Sequence, residues 1–358
     1  MRIILYNNFH IGDTFVAKSF IKRLCEYNKE HSFELFCYYN YYIYSDIPNL
    51  KIQYKSDKYI HPLQFNQYAH DALNVDYMYK IFEQNVYNTY FKFDENTIAI
   101  NTWIGTWFKY ASDICIECNH INYLICAERI LQVVNNEYKL NLTIGEINNE
   151  LRIEFINEKN RLTNILTEIP TSNFENEINK KFREWKNSQE IINKIVIFYY
   201  NFYPSSGQQV PIMLDGHNYV INTLINNNPN IILIVPNKNE YLEMINRNNQ
   251  IGNIGNKIYE CADFVNYEID PSCKNVAMCE YIASLCDYSI HYDIGACFYY
   301  MNNYIDKTDR RIIHIGVNDK YVSQFIYVLN KLKINKNIHV ILSNNIYEIL
   351  NQLLNYIS

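Results

Sequence analysis

Residues 1–24 read MRIILYNNFHIGDTFVAKSFIKRL. The run RIILY is short and apolar without alternation, which is typical of a parallel β-strand covered on both faces. Apolar residues then recur at the spacing of one helix face, at Val16, Phe20, Ile21 and Leu24. A strand followed by a helix, with Gly12 and Asp13 between them, predicts the first βα unit of a parallel sheet.

The same rhythm continues along the chain and restarts in its second half at KIVIFYYN, residues 194–201. Strands that alternate with helices favour βαβ units and parallel sheets. Two such series predict two doubly wound α/β domains. We expect the first over residues 1–190, including a helical linker, and the second over residues 191–344. A final amphipathic helix, residues 345–358, is expected to pack back on the first domain.

Composition narrows the class of protein. The 358 residues are 48% hydrophobic with a formal net charge of −6, and no cluster of Lys or Arg favours a nucleic-acid partner. The single CxxC, Cys115 and Cys118, has no second pair at zinc-site spacing, so we interpret it as incidental. The start is not typical of a signal peptide, and the apolar runs are too short to span a bilayer. We therefore expect a cytoplasmic protein without a transmembrane segment; peripheral attachment to a membrane stays open.

The pair Gly12–Asp13 has two interpretations. Asp13 can cap the following helix, because its side chain can accept hydrogen bonds from the free N–H groups of the first turn. Alternatively, the pair belongs to a ligand site, because α/β sheets bind ligands at the carboxyl ends of their strands. Asn8 and His10 lie in the same segment and could bind hydroxyl groups, or they could be exposed turn residues.

Two further segments have the composition of phosphate-binding turns. The first contains Ser205, Ser206, Gly207 and Gln208, which follow the strand KIVIFYY and offer side-chain and backbone donors. The second is HYDIGACF, where Gly295 would let a diphosphate approach the N–H groups of Ala296 and Cys297. Asp293 would orient that turn or bind a ribose or sugar hydroxyl. An ordinary polar loop and a simple strand-to-helix turn are the alternatives.

Two of these stretches resemble one family. ILYNNFHIGDTFVAKSFIKRL is similar to the opening of the heptosyltransferase-like glycosyltransferases, the ADP-heptose:lipopolysaccharide family, which begin with a strand, a GD pair and a helix. EYIASLCDYSIHYDIGACFYYMN, followed by RRIIHIG, resembles that family's second motif, a helix, a strand, an acidic residue, a glycine and a further strand. The two matches lie in the family's order along the chain.

The resemblance implies a GT-B fold, in which two Rossmann-like domains face each other across a cleft. It also implies inverting transfer of a sugar from a nucleotide-diphosphate donor to an acceptor hydroxyl, without a metal. Asp13 matches the family's general base, Gly12 with Asn8 and His10 would lie on the acceptor side, and residues 205–208 with Asp293, Gly295, Ala296 and Cys297 on the donor side. The expected partners are a nucleotide sugar, which is a co-substrate rather than a cofactor, and a glycan or glycoconjugate acceptor.

The sequence also leaves alternatives. No DxD occurs, so the usual carboxylate pair for a metal-bound diphosphate is missing. Ile294 and Phe298 replace the family's small polar residue and histidine, and no basic residue lies in the segment 201–210. These departures keep open a non-catalytic binding protein of the same fold. A nucleotide-sugar 2-epimerase would share the architecture, but it would require further acid and base residues in the cleft.

Overall fold

The computed structural model describes residues 1–6, 15, 17–36, 41–53, 95–102, 123–147, 174–200, 211–247, 255–265, 276–292, 311–316 and 337–357. The chain divides into two compact units, Met1–Pro170 and Thr171–Ser358. Each unit contains a sheet in which all strand pairs are parallel, so the prediction of two parallel α/β series is confirmed.

The described elements of the first unit follow the predicted rhythm. They are β1 (Arg2–Tyr6), α1 (Lys18–Tyr27), β2 (Ser32–Phe36), a 3-10 turn (Tyr41–Tyr44), β3 (Leu50–Gln53), β4 (Thr97–Asn101) and α2 (Tyr123–Tyr138). The sheet has the order β3-β2-β1-β4. β1 is central, and its Ile3, Ile4 and Leu5 are fully buried, as expected for a strand covered on both faces.

The helices of the first unit are held by apolar faces and by amide side chains such as that of Asn28. α1 buries Phe20, Ile21 and Leu24, the residues whose spacing predicted it. Just after its end, the Asn28 Nδ2 donates to the Leu24 carbonyl at 2.6 Å and to the Thr143 carbonyl at 2.7 Å. The Asn28 Oδ1 accepts from the Thr143 N–H at 3.0 Å, so one buried side chain joins the end of α1 to the segment that follows α2.

The second unit is a larger version of the same plan. Its elements are α3 (Phe174–Lys186), β5 (Ile195–Tyr199), α4 (Pro211–Asn227), β6 (Ile231–Val235), α5 (Lys238–Arg247), β7 (Ile258–Glu260), α6 (Val276–Leu285), β8 (Tyr288–Tyr292), β9 (Arg311–Gly316), β10 (Ile338–Leu342) and α7 (Ile346–Ile357). Two 3-10 turns, Gly255–Lys257 and Cys261–Phe264, flank β7. The sheet order is β10-β9-β8-β5-β6-β7, which is the Rossmann order 3-2-1-4-5-6 when strands are counted from β5.

The boundary between the units lies at Pro170, whereas the sequence predicted it at residue 190. The difference is α3, which we interpreted as linker because it is rich in charge. Its aromatic face packs in the second unit: the Phe182 ring lies 5.4 Å from Phe264, and the Trp185 ring lies 4.9 Å from Tyr259, between centroids. A charged outer face therefore concealed a helix that covers the β7 side of the second sheet.

The expectation that the last helix packs on the first domain stays a prediction, and the contacts described for this helix are with the second unit. α7 buries Ile349, Leu353 and Ile357. The Tyr356 ring stacks on His339 of β10 at 4.2 Å between centroids, and its carbonyl accepts from the Tyr288 hydroxyl at 3.4 Å. These contacts lie within the second unit, to which α7 belongs.

Among the residues that the structure describes, no helix is both long enough and apolar enough to cross a membrane.

The second sheet contains a histidine that makes folding pH-dependent. Burial lowers the pKa of His314 from 6.5 to about 4. Between these values the unfolded chain binds a proton that the folded chain does not, so stability decreases as the pH falls from about 6.5 toward about 4. The full effect is about 3 kcal/mol. We expect His314→Leu to reduce the fall in melting temperature between pH 7 and pH 4.5; an unchanged fall would contradict this prediction.

Candidate functional site

The strand order defines where a ligand site belongs in each unit. From β1 the chain adds β2 and β3 on one side and then crosses to β4 on the other, and from β5 it adds β6 and β7 before it crosses to β8. Open α/β sheets bind ligands outside the carboxyl ends of the strands at this reversal, the topological switch point. The switch points are therefore the carboxyl ends of β1 and β4 in the first unit and of β5 and β8 in the second.

The predicted site residues all lie outside the described residues, so their geometry and contacts stay predictions. They are Asn8, His10, Gly12, Asp13, Ser205, Ser206, Gly207, Gln208, Asp293, Gly295, Ala296 and Cys297. Their place along the chain is nevertheless informative. The segments 7–14, 201–210 and 293–300 begin directly or one residue after β1, β5 and β8, which are strands that flank the two switch points.

The described residues at the second switch point include a buried polar cluster, here called the β5–β8 cluster: Tyr200, Glu280, Ser289 and His291. All four residues are buried, with Glu280, Ser289 and His291 at 0% exposure. The Tyr200 hydroxyl donates a hydrogen bond to the Glu280 carboxyl group. The Tyr200 ring lies 4.6 Å from the His291 ring between centroids, and the His291 Nε2 lies 3.1 Å from the Ser289 Oγ. The cluster connects β5, β8 and α6.

A second histidine lies beside the β5–β8 cluster, on the next strand of the sheet. The parallel register pairs His291 of β8 with His314 of β9. Both side chains are fully buried, and the low pKa of His314, caused by burial, keeps its imidazole neutral at pH 7. His314 therefore adds no positive charge to the carboxyl end of the sheet.

On the opposite face of the second sheet, Tyr199 joins β5 to α4, and Tyr241 joins α5 to α4. The Tyr199 hydroxyl donates to the Asn218 Oδ1 of α4 at 2.8 Å, and the Tyr241 hydroxyl of α5 donates to the Asn222 Oδ1 at 2.8 Å. Burial raises the pKa of Tyr241 well above its usual value, so its hydroxyl stays protonated and able to donate. Because Tyr199 and Tyr200 are consecutive, their bonds hold α4 and α6 to opposite faces of the sheet.

The first unit has a buried charge at the start of α1. Lys18 opens α1, soon after the segment 7–14, and its side chain is 2% exposed. Its Nζ lies 2.9 Å from one oxygen of Asp46 and 3.0 Å from the other. A cation at a helix amino terminus opposes the helix dipole and is costly to bury. The carboxylate of Asp46 offsets both costs and fixes the start of α1 against the segment that follows β2.

An open pocket of about 490 Å³ lies at a different place, beside the edge strand β7. Its lining combines aromatic rings with charged groups of both signs: Lys181, Glu184, Trp185, Lys238, Tyr259, Asp263 and Phe264. In the sheet order, β6 separates β7 from β5. This pocket is therefore distinct from the β5–β8 switch point.

Within the part of the chain that the structure describes, no group of three or more His, Cys, Asp or Glu side chains is arranged to hold a metal ion.

The fold and the strand orders define the class of protein: an α/β chain with two Rossmann-like units. The chain matches no protein-family model, and it matches no curated protein. Solved structures match its fold at low identity. The glycosyl transferase family 9 protein from Veillonella parvula is 12% identical with a TM-score of 0.43, over 99% of this chain and 89% of that chain.

Two Escherichia coli proteins match over nearly the whole of both chains. ADP-heptose lipopolysaccharide heptosyltransferase II is 9% identical with a TM-score of 0.45, over 100% of this chain and 98% of that chain. Heptosyltransferase WaaC with ADP-2-deoxy-2-fluoro heptose is 11% identical with a TM-score of 0.42, over 100% of this chain and 99% of that chain. At these identities and TM-scores, the similarity assigns no activity, substrate or site residue.

Sequence reasoning missed the β5–β8 cluster, although a signal was present. The stretch NVAMCEYIASLCD, which contains α6, has apolar residues at the spacing of one helix face, and Glu280 stands among them between Cys279 and Ala283. A single carboxylate within an apolar helix face predicts a buried polar partner. Its partner, Tyr200, ends the strand run KIVIFYY, where an aromatic residue reads simply as part of the core.

The Lys18–Asp46 pair gives a test of the first unit. Asp46→Asn leaves the ammonium of Lys18 buried without the carboxylate described here, and we expect a loss of about 3 kcal/mol. Lys18→Met should cost less, because the side chain of Asp46 is 29% exposed and remains partly solvated. Urea unfolding of the two variants at pH 7 measures both losses. A larger loss in Lys18→Met than in Asp46→Asn would contradict this account.

Proposed function

We propose that this chain is a glycosyltransferase that moves a sugar from a nucleotide-diphosphate sugar to an acceptor hydroxyl of a glycan or glycoconjugate. One observation carries the proposal. The segments that bear the family-like motifs follow strands at the switch points of both sheets, which is where the strand order alone would place ligands.

The donor side belongs to the second unit. β5 and β8 are hydrogen-bonded neighbours, so the two strands that precede the segments 201–210 and 293–300 lie about 5 Å apart in the sheet. A diphosphate can contact both segments at this separation. Its charge would be met by backbone N–H groups and by the hydroxyls of Ser205 and Ser206, because the first of these segments leads into α4 and helix amino termini attract anions.

The acceptor side belongs to the first unit, where Asp13 acts as the general base. As the acceptor oxygen forms its bond to the anomeric carbon, the bond from that carbon to the diphosphate oxygen breaks. The hydroxyl proton passes to the carboxylate of Asp13, and the nucleoside diphosphate leaves with the electron pair. Attack on the face opposite the leaving group inverts the anomeric centre. Fixed dipoles and neutral donors stabilise the leaving group, so the proposed reaction requires no metal.

The first test is donor binding. We expect one nucleoside diphosphate to raise the melting temperature of the chain in the presence of EDTA. At a concentration of about one hundred times its Kd, it should add about 2.7 kcal/mol to the free energy of unfolding. A panel of ADP, UDP, GDP, CDP and TDP, measured with and without Mn²⁺, identifies the base. Binding that EDTA abolishes and Mn²⁺ restores would contradict the metal-independent site, and no binding in either condition would contradict the function.

The second test is Asp13→Asn. Asn keeps the shape of the side chain and its capacity to accept hydrogen bonds, but it cannot take the proton, so we expect single-turnover transfer to fall by a factor on the order of 10² to 10⁴. Nucleotide affinity and the melting curve should stay near the wild-type values.

Asp263→Asn is the matched control for this substitution. Asp263 is also a carboxylate at the end of a strand, but it lies beside β7 and not at a switch point. We expect the control to transfer at the wild-type rate. Wild-type transfer by Asp13→Asn would assign Asp13 to helix capping alone.

A further inference from the structure

The β5–β8 cluster contains a carboxyl group in an unusual place. Glu280 is 0% exposed, and it lies on a helix that also buries apolar residues such as Cys279 and Ala283. A buried carboxyl group is costly unless hydrogen bonds satisfy it. The Tyr200 hydroxyl provides such a bond, so the pair fixes both the tyrosine ring and the register of α6 against the sheet.

The position of this pair along the chain suggests more than core packing. Tyr200 is the last residue before the segment 201–210, and His291 precedes the segment 293–300 by two residues. The last described backbone bond between the two strands runs from the Tyr200 N–H to the Ile290 carbonyl, at 3.3 Å. The ring contact between Tyr200 and His291 joins the two strands just beyond this bond.

The cluster is also shielded from direct contact with a ligand. Tyr200 is 1% exposed, and His291 and Ser289 are fully buried. Ser289 contacts His291 from its own strand, with 3.1 Å between the Oγ and the Nε2. These side chains can therefore affect ligand binding only indirectly, by fixing the ends of β5 and β8.

We propose that Tyr200, Glu280 and His291 form a positioning unit that fixes the carboxyl ends of β5 and β8 relative to each other, so that one diphosphate can bind at this switch point. The inference rests on the proposed function, because it names what fixes the donor site. The three residues touch neither substrate nor the reacting atoms; they act through the ends of the two strands.

The test compares the same substitution at neighbouring residues. Tyr200→Phe removes the hydroxyl that binds Glu280 but keeps the ring that contacts His291. Tyr199→Phe is the matched control, because Tyr199 is also buried and also donates a single described hydroxyl bond to a helix, the 2.8 Å bond to Asn218 on the opposite face. Both variants lose one buried hydrogen bond, so their losses of melting temperature should be similar.

The readout is the Kd of the nucleoside diphosphate that binds the wild type, measured by calorimetry with EDTA. We expect Tyr200→Phe to weaken binding on the order of tenfold and Tyr199→Phe to leave the Kd within about twofold. Glu280→Met should weaken binding like Tyr200→Phe, whereas Glu280→Gln, whose amide oxygen can still accept from Tyr200, should restore most of the affinity. Equal effects of Tyr200→Phe and Tyr199→Phe on the Kd would overturn the proposal.

A second readout does not depend on a ligand. In the free protein, amide hydrogen exchange in both segments should be faster in Tyr200→Phe than in the wild type, and unchanged in Tyr199→Phe. Unchanged exchange in Tyr200→Phe overturns the positioning role. If the wild type binds none of the nucleoside diphosphates, the proposed function fails separately, and faster exchange in both segments still supports the role of the cluster in ordering them.

Discussion

The direction of the strands is the constraint on which the rest of this structure depends. All described strand pairs are parallel, so every connection returns to the opposite edge of its sheet, and all carboxyl ends lie along one edge. The chain starts each sheet in the middle, at β1 and at β5, and must later cross from one side to the other. The crossing leaves two neighbouring strands at a switch point in each sheet, and the candidate residues follow β1 in the first unit and β5 and β8 in the second.

Buried polar side chains fix the helices in place near the ends of the strands, where the backbone hydrogen bonds between strands stop. Tyr199 and Tyr200 hold α4 and α6 to opposite faces of the second sheet through Asn218 and Glu280. In the first unit, a buried ion pair fixes the start of α1. Buried polar groups cost stability when their partners are removed, so these pairs specify one arrangement of helices more strictly than apolar contacts would. The helices that they fix adjoin the segments for which we propose ligand binding.

The sequence predicted the helices and strands better than it predicted which of them lie next to each other. Short apolar runs identified strands such as β1 and β5, because a parallel strand buried on both faces has little room for polar residues. Strand order was not accessible, since it depends on which edge each strand joins rather than on its own composition. The charges of α3 concealed the aromatic face with Trp185, and the amphipathic pattern of α7 did not reveal which unit it covers. For the site, the motifs indicated segments 7–14, 201–210 and 293–300, but the polar partners Tyr200 and Glu280 come together only through the fold.

The central claim is that the carboxyl ends of β5 and β8 hold the diphosphate of a sugar donor. The most direct measurement is a crystal structure of the chain with the nucleoside diphosphate that stabilises it. The account predicts that the diphosphate lies at the β5–β8 switch point, within hydrogen-bond distance of residues in both segments, 201–210 and 293–300. A diphosphate in the pocket beside β7, between Lys181 and Lys238, would contradict it.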